Sequence, residues 1–156
     1  MRLDNQLCFA LYAATHAITR AYRPLLNDLD LTYPQFLVML ALWERDAQTV
    51  SALGATLQLD SGTLSPVLKR LEKSGYIAKA RQKADERVVV VMLTESGRAL
   101  RGDGERACLN VRVQTAMESQ DVTALCVELH ALNKELSQRN LEAHVDTARP
   151  LRRKSA

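Results

Sequence analysis

One stretch, VSALGATLQLDSGTLSPVLKRLEKSGYIAKARQKADERVVVVML over residues 50–93, limits the possible folds more than any other part of the chain. It sets two helical patterns in succession, about Val50 to Leu57 and Asp60 to Gly75, with almost no chain between them. Ser51 is a candidate cap for the first helix. Gly75 marks the end of the second, where a residue just past the helix takes up the left-handed conformation that glycine adopts without strain. Two β-like runs follow, YIAKARQ and RVVVVML, joined by the polar tip KADE. Helix, short turn, helix and hairpin is the order of a winged helix-turn-helix, whose second helix enters the major groove of DNA while the wing touches the minor groove or the phosphates. The expected class is therefore mainly α, with a small β component in the wing.

Charge agrees with this order. From Asp60 to Val91 seven basic residues face four acidic ones, a net +3, which equals the formal net charge of the whole chain. The front of the second helix, Ser61-Gly62-Thr63-Leu64-Ser65-Pro66, is unusual for a helix and suits a groove. Ser61, Thr63 and Ser65 are candidates for phosphate or base-edge contacts, with Pro66 beside them and Lys69 and Arg70 following the backbone. A plainer reading makes Ser65 the cap of a shorter helix that starts at Pro66 and turns the residues before it into loop. On the wing, Arg81, Lys83 and Arg87 supply positive charge, and Arg87 is placed to enter a narrow minor groove with Asp85 aiming it. The plain alternative is a surface arginine in a hairpin.

Helical patterns flank this region. A first helix from about Asp4 to Asn27 carries Leu7, Leu11, Ala14, Ile18, Tyr22 and Leu25 at three- and four-residue steps. A second begins near Pro34 and continues through Trp43, apolar all round and so expected to be buried. Beyond the wing, Thr94 caps a helix reaching about Met117, and another runs from Asp121 to about His144. Residues 1–29 and 95–145 then form a helical dimerisation region around a DNA-binding domain at 30–94, with 146–156 a disordered basic tail. At 156 residues and 47% hydrophobic, the chain can bury a core as one domain or two small packed ones. No charged leader with an apolar core opens it, and its longest apolar run, Phe36 to Trp43, is too short for a bilayer. Cys8, Cys108 and Cys126 make neither a disulfide framework nor a CxxC pair nor a zinc cluster, so a cytoplasmic protein with reduced thiols, no metal, no cofactor and no membrane partner is expected.

The stretches LDSGTLSPVLKRLEKSGYI and ADERVVVVMLTESGRAL, with the terminal helices around them, resemble the multiple antibiotic resistance regulator (MarR) family of bacterial repressors from Asp4 to about His144. LDNQLCFALYAA, YRPLL and LTYPQFLVMLALWE are similar, within that family, to the organic hydroperoxide resistance regulators. The resemblance implies a homodimer bound to double-stranded palindromic operator DNA when reduced and released by organic hydroperoxides. It implies that Cys8 is the reactive thiol, with Tyr12, Tyr22 and Tyr33 around it, and that Cys126 of the other subunit forms a disulfide with the oxidised Cys8.

Spacing adds an argument of its own. Cys8 and Tyr12 are one turn apart on one helix face. Tyr22 lies fourteen residues beyond Cys8, about 21 Å along a continuous helix, so in a shared site it belongs to the other subunit. A thiol near a helix N-terminus also gains from the positive end of the dipole. Taken singly, Cys108 and Cys126 read as packing residues and each tyrosine as a core or interface residue. Two rival functions stand beside the sensor: a repressor answering a small aromatic ligand, and a thiol peroxidase. For the second, His16, His130 and His144 offer no catalytic partner, and an enzyme is not expected.

Overall fold

A computed structural model describes residues 2–82 and 85–147, with side chains through Arg139. The tip residue Lys83 and most of the expected basic tail lie outside the described residues. A 3₁₀ turn, Leu3–Asn5, precedes α1 (Leu7–Asn27), α2 (Tyr33–Glu44), β1 (Gln48–Thr49), α3 (Val50–Leu57), α4 (Ser61–Lys73), β2 (Ile77–Gln82), β3 (Asp85–Leu93), α5 (Glu95–Ala99), α6 (Arg101–Gln114) and α7 (Ser119–Thr147). The chain divides into two compact units, residues 1–115 and 116–156, the second built on α7.

Within the first unit the helices surround a small antiparallel sheet of order β1-β3-β2. Gln48 faces Val91 in one pairing, and Ile77 faces Leu93 in the other. Val91 and Ile77 point into the core, while Lys79 and Arg81 lie on exposed parts of β2. α2 behaves as its composition requires: Phe36, Val38, Met39 and Leu42 are wholly buried. Its one buried polar side chain, Gln35, accepts the Thr32 backbone N–H at 2.7 Å and so closes the helix start without an orphan group.

The structure departs from the sequence reading at element ends. α1 starts at Leu7 rather than Asp4, because the 3₁₀ turn ends in an extended Gln6. The cap of α3 is Thr49, not Ser51: the Thr49 hydroxyl accepts the Ala52 N–H at 3.1 Å, and Ser51 only hydrogen-bonds to that hydroxyl. The helix expected from Thr94 to Met117 is broken at Leu100 and ends at Gln114, and the last one begins at Ser119 rather than Asp121. At Gly75, φ is +76°, and the Gly75 and Tyr76 amides donate to Glu72 and Leu71 carbonyls, the paired bonds of a Schellman end.

Two close approaches fix how the flanking helices meet the central region. Trp43 Nε1 donates to the Gly97 carbonyl at 2.9 Å. A Cβ on Gly104 would press into the Trp43 ring, so the absence of a side chain there lets α6 sit this close to Trp43 and Phe36.

Candidate nucleic-acid interface and thiol site

The candidate recognition surface is set by the period of α4. Leu64, Leu68 and Leu71 fall on one stripe and are buried, each stabilising the unit by about 1.5–3 kcal/mol. The opposite face carries Ser61, Thr63, Ser65, Pro66, Lys69 and Arg70, all exposed. Asp60 starts the helix: one carboxylate oxygen accepts the Thr63 N–H at 2.9 Å and the other accepts its hydroxyl at 2.7 Å. These bonds favour the charged form and hold the Asp60 carboxyl below the usual aspartate range. The shorter helix capped by Ser65 is thereby ruled out. Ser65 donates its hydroxyl to the Ser61 carbonyl at 2.6 Å, inside a helix already under way, and Pro66 sits within α4. Thr63 and Ser65 spend their single protons on these bonds, so to any partner on this face they offer acceptor lone pairs.

The wing continues this surface. A groove of about 580 Å³ runs between α3, the front of α4 and the sheet, with Ser51, Ser61, Ser65, Lys79 and Arg87 among its walls. Lys79 pairs with Glu72 at 2.8 Å and so ties β2 to α4, a contact that sequence reasoning passed over because it saw only two surface charges. Arg81 and Arg87 are exposed. Asp85 accepts the backbone N–H of Arg87 at 3.0 Å, so it orders the backbone that carries the arginine. At the root of the wing, Asp46 accepts the Leu93 amide at 2.9 Å and pairs with Arg98 at 3.0 Å.

The thiol residues fall into two groups. Cys8, second residue of α1, is exposed, and one turn on Tyr12 is 62% exposed with its ring 4.3 Å from that of His16. Tyr22 and Tyr33 come together elsewhere, ring centroids 5.4 Å apart, with Tyr22 equally close to Phe36. α1 runs unbroken from Leu7, with Pro24 only in its last turn, so Tyr22 stays about 21 Å along the helix from Cys8 of its own chain. Cys108 of α6 is half-buried and packs against the same core as Tyr22 and Tyr33. Burial first, then the neighbouring Cys108 and Tyr33, push the Tyr22 hydroxyl well above its ordinary value. Burial, then Cys108, pushes Tyr33 the same way. Both hydroxyls keep their protons at neutral pH and are able to donate. Sequence reasoning gave Cys108 to packing, which its place against the core supports; its helical position alone carried no sign of the tyrosine. Cys126 is exposed on α7, in the second unit.

A smaller cleft of about 400 Å³ has His16, Arg20, Arg23 and Tyr33 in its walls. Among the described residues no cluster of three His, Cys, Asp or Glu is placed to hold a metal ion, and no helix is long and apolar enough to cross a membrane.

Residues 20–103 match the family described as transcriptional regulator SarA/Rot. The chain is 49% identical over 137 residues to the HTH-type transcriptional regulator TtmR of Methylorubrum extorquens, covering 88% of this chain and 70% of that one. It is 42% identical over 140 residues to the organic hydroperoxide resistance transcriptional regulator of Bacillus subtilis, 90% of this chain and 95% of that one. Among solved structures, reduced AbfR bound to DNA superimposes with a TM-score of 0.73 at 35% identity, covering 87% of this chain and 94% of that one. The disulfide form of AbfR gives 0.63 at 36% identity over 85% and 93%. These relatives are transcriptional regulators and not enzymes.

Proposed function

Because the chain belongs to the SarA/Rot family of MarR-like winged-helix transcriptional regulators, we propose that it is a cytoplasmic repressor that reports organic hydroperoxides through Cys8. Residues 1–29 and 95–145 join two copies, and residues 30–94 of each contact a palindromic operator, the two α4 helices meeting successive major-groove faces. Ser61, Thr63, Ser65, Pro66, Lys69 and Arg70 face the major groove, while Arg81, Lys83 and Arg87, the last ordered by Asp85, reach the minor groove and phosphates. The observation that carries the sensor reading is the pairing of Tyr22 with Tyr33, two half-buried hydroxyl donors too far along α1 to serve their own Cys8. In a dimer they receive the Cys8 of the other copy, and Tyr12 accompanies it.

The chemistry is a two-electron oxidation. The Cys8 thiolate attacks the terminal oxygen of a hydroperoxide, the O–O bond breaks, the alcohol leaves with a proton, and a sulfenic acid remains on Cys8. Condensation with a second thiol, for which the family resemblance implies Cys126 of the other copy, yields a disulfide and water and misplaces the recognition helices. The similarity to the B. subtilis regulator and to AbfR, known both reduced on DNA and in a disulfide form, supports this reading.

The test uses a duplex selected from random sequence by the reduced protein. One equivalent of cumene hydroperoxide is expected to release wild type, whereas Cys8→Ser binds the duplex equally well and stays bound after oxidant. A second reading, a repressor answering a small anionic aromatic, is favoured by the arginine-lined cleft beside Tyr33. Release of Cys8→Ser by hydroperoxide as readily as wild type would sink the sensor and leave this second reading.

A further inference from the structure

We propose that Asp46 is a positioning residue for DNA binding: it touches no DNA and fixes the angle of the wing, so that Arg87 meets the minor groove while α4 lies in the major groove. The proposal rests on the reading of Arg87 as a DNA contact and goes beyond it by naming the group that aims the strand carrying it.

Asp46 stands in the turn between α2 and β1, and its carboxylate holds three elements together. One oxygen accepts the Ala47 amide at 2.7 Å and the Leu93 amide at 2.9 Å. The other accepts Arg98 Nη1 of α5 at 3.0 Å. Leu93 is the last residue of β3 and is buried, so the carboxylate grips that strand where it enters the core. The turn is itself fixed. Ala47 takes the left-handed conformation at φ +57°, which a residue with a Cβ keeps only where its surroundings hold it, and Gln48 Nε2 donates to the Ala41 and Arg45 carbonyls at 2.8 Å each.

The leverage is geometric. β1 pairs with Val90 and Val91, so from Val89 to the tip the wing is a two-stranded ribbon. Arg87 lies six residues from Leu93, about 20 Å along a strand, so a tilt of about 10° at the root moves it by about 3.5 Å. That exceeds the play in a hydrogen bond and is more than half the width of a minor groove of about 6 Å. On the α4 side, the Lys79–Glu72 pair ties β2 to the recognition helix. On the α2 side, Asp46 supplies the second anchor, and without it the hairpin pivots on the first.

Charge alone gives the opposite expectation. Removing a carboxylate makes the protein more positive, which strengthens its attraction to DNA. A loss of affinity on removing Asp46 therefore has a cause other than net charge, whereas the same loss on removing Arg98 does not separate the two.

The test is a double-mutant cycle on the full-length reduced protein and the duplex it selects from random sequence. Asp46→Ala is expected to bind that duplex about tenfold more weakly than wild type, with the slope of log affinity against log salt reduced by about one, as for Arg87→Ala. In an Arg87→Ala background the same change at Asp46 is expected to cost less than about twofold, because the side chain it aims is gone. Urea unfolding of each variant fixes conditions in which all are folded. Asp46→Asn, the same size without the charge, carries the cycle if Asp46→Ala does not fold. Binding by the Asp46 variant as tight as wild type would overturn the assignment. So would a loss of equal size with and without Arg87, the mark of a general structural role. If Arg87→Ala binds as wild type does, the wing contact itself has failed and the positioning role falls with it. If Arg87→Ala weakens binding and the Asp46 variant does not, only the role of Asp46 has failed.

Discussion

Gly104 and Gly97 are where single atoms decide the packing. A methyl group at Gly104 meets the Trp43 ring at 2.4 Å and Phe36 at 3.3 Å, a clash between side chains that can yield. Gly104→Ala is therefore expected to cost about 1–3 kcal/mol, read from urea denaturation. At Gly97 the added carbon would lie 2.0 Å from the Tyr76 carbonyl oxygen, which is backbone and cannot move aside, so Gly97→Ala is expected to be the more damaging of the two. Tyr22 gives a pH signature. Its folded-state value lies above the free value of 10.0, so the unfolded chain loses the proton first as pH rises. The stability tied to that proton is complete below about pH 10 and falls above it. Urea midpoints of wild type and Tyr22→Phe at pH 9 and pH 11 should show the steeper alkaline loss in wild type. The close approaches at the two glycines were not legible in the sequence, and the resemblance marked Tyr22 as a pocket residue without showing how far it is buried.

At the scale of elements, α4 and the wing depend on a few polar anchors. Asp60 is held below its ordinary 3.8 by the Thr63 bonds. The sign follows from the unfolded carboxyl protonating first as pH drops, so the cap's contribution is present above about pH 4 and is lost as pH falls through the lowered value. The melting temperature of Asp60→Ala should lie below that of wild type at neutral pH, and the gap should narrow in acid. For the wing, Arg87→Ala is expected to weaken binding to the selected duplex by about tenfold and to reduce the slope of log affinity against log salt by about one. An unchanged slope would mean that Arg87 does not touch DNA. The order of these elements was legible because each is long enough to show its period. β1 was not, since two residues carry no period and become a strand only by pairing with Val90 and Val91. The same pairing explains the misplaced cap: Thr49 and Ser51 both offer a hydroxyl, and only the strand leaves Thr49 extended at the start of α3.

At the scale of the whole molecule, apolar side chains stand uncovered on α1, α6 and α7, among them Leu7, Leu109, Val113 and Leu125. Such surface implies a partner, and sedimentation is expected to show a dimer that Leu109→Asp combined with Val113→Asp converts to monomer with loss of operator binding. The sequence by itself determined the helix order, the wing, the location of the positive charge and the separation of Cys8 from Tyr22, because periodicity and rise per residue are local properties of the chain. Tertiary structure decided which side chains from distant segments meet. Tyr22, Tyr33 and Cys108 lie on three helices, and only the packing of those helices brings them against one core beside Phe36 and Trp43.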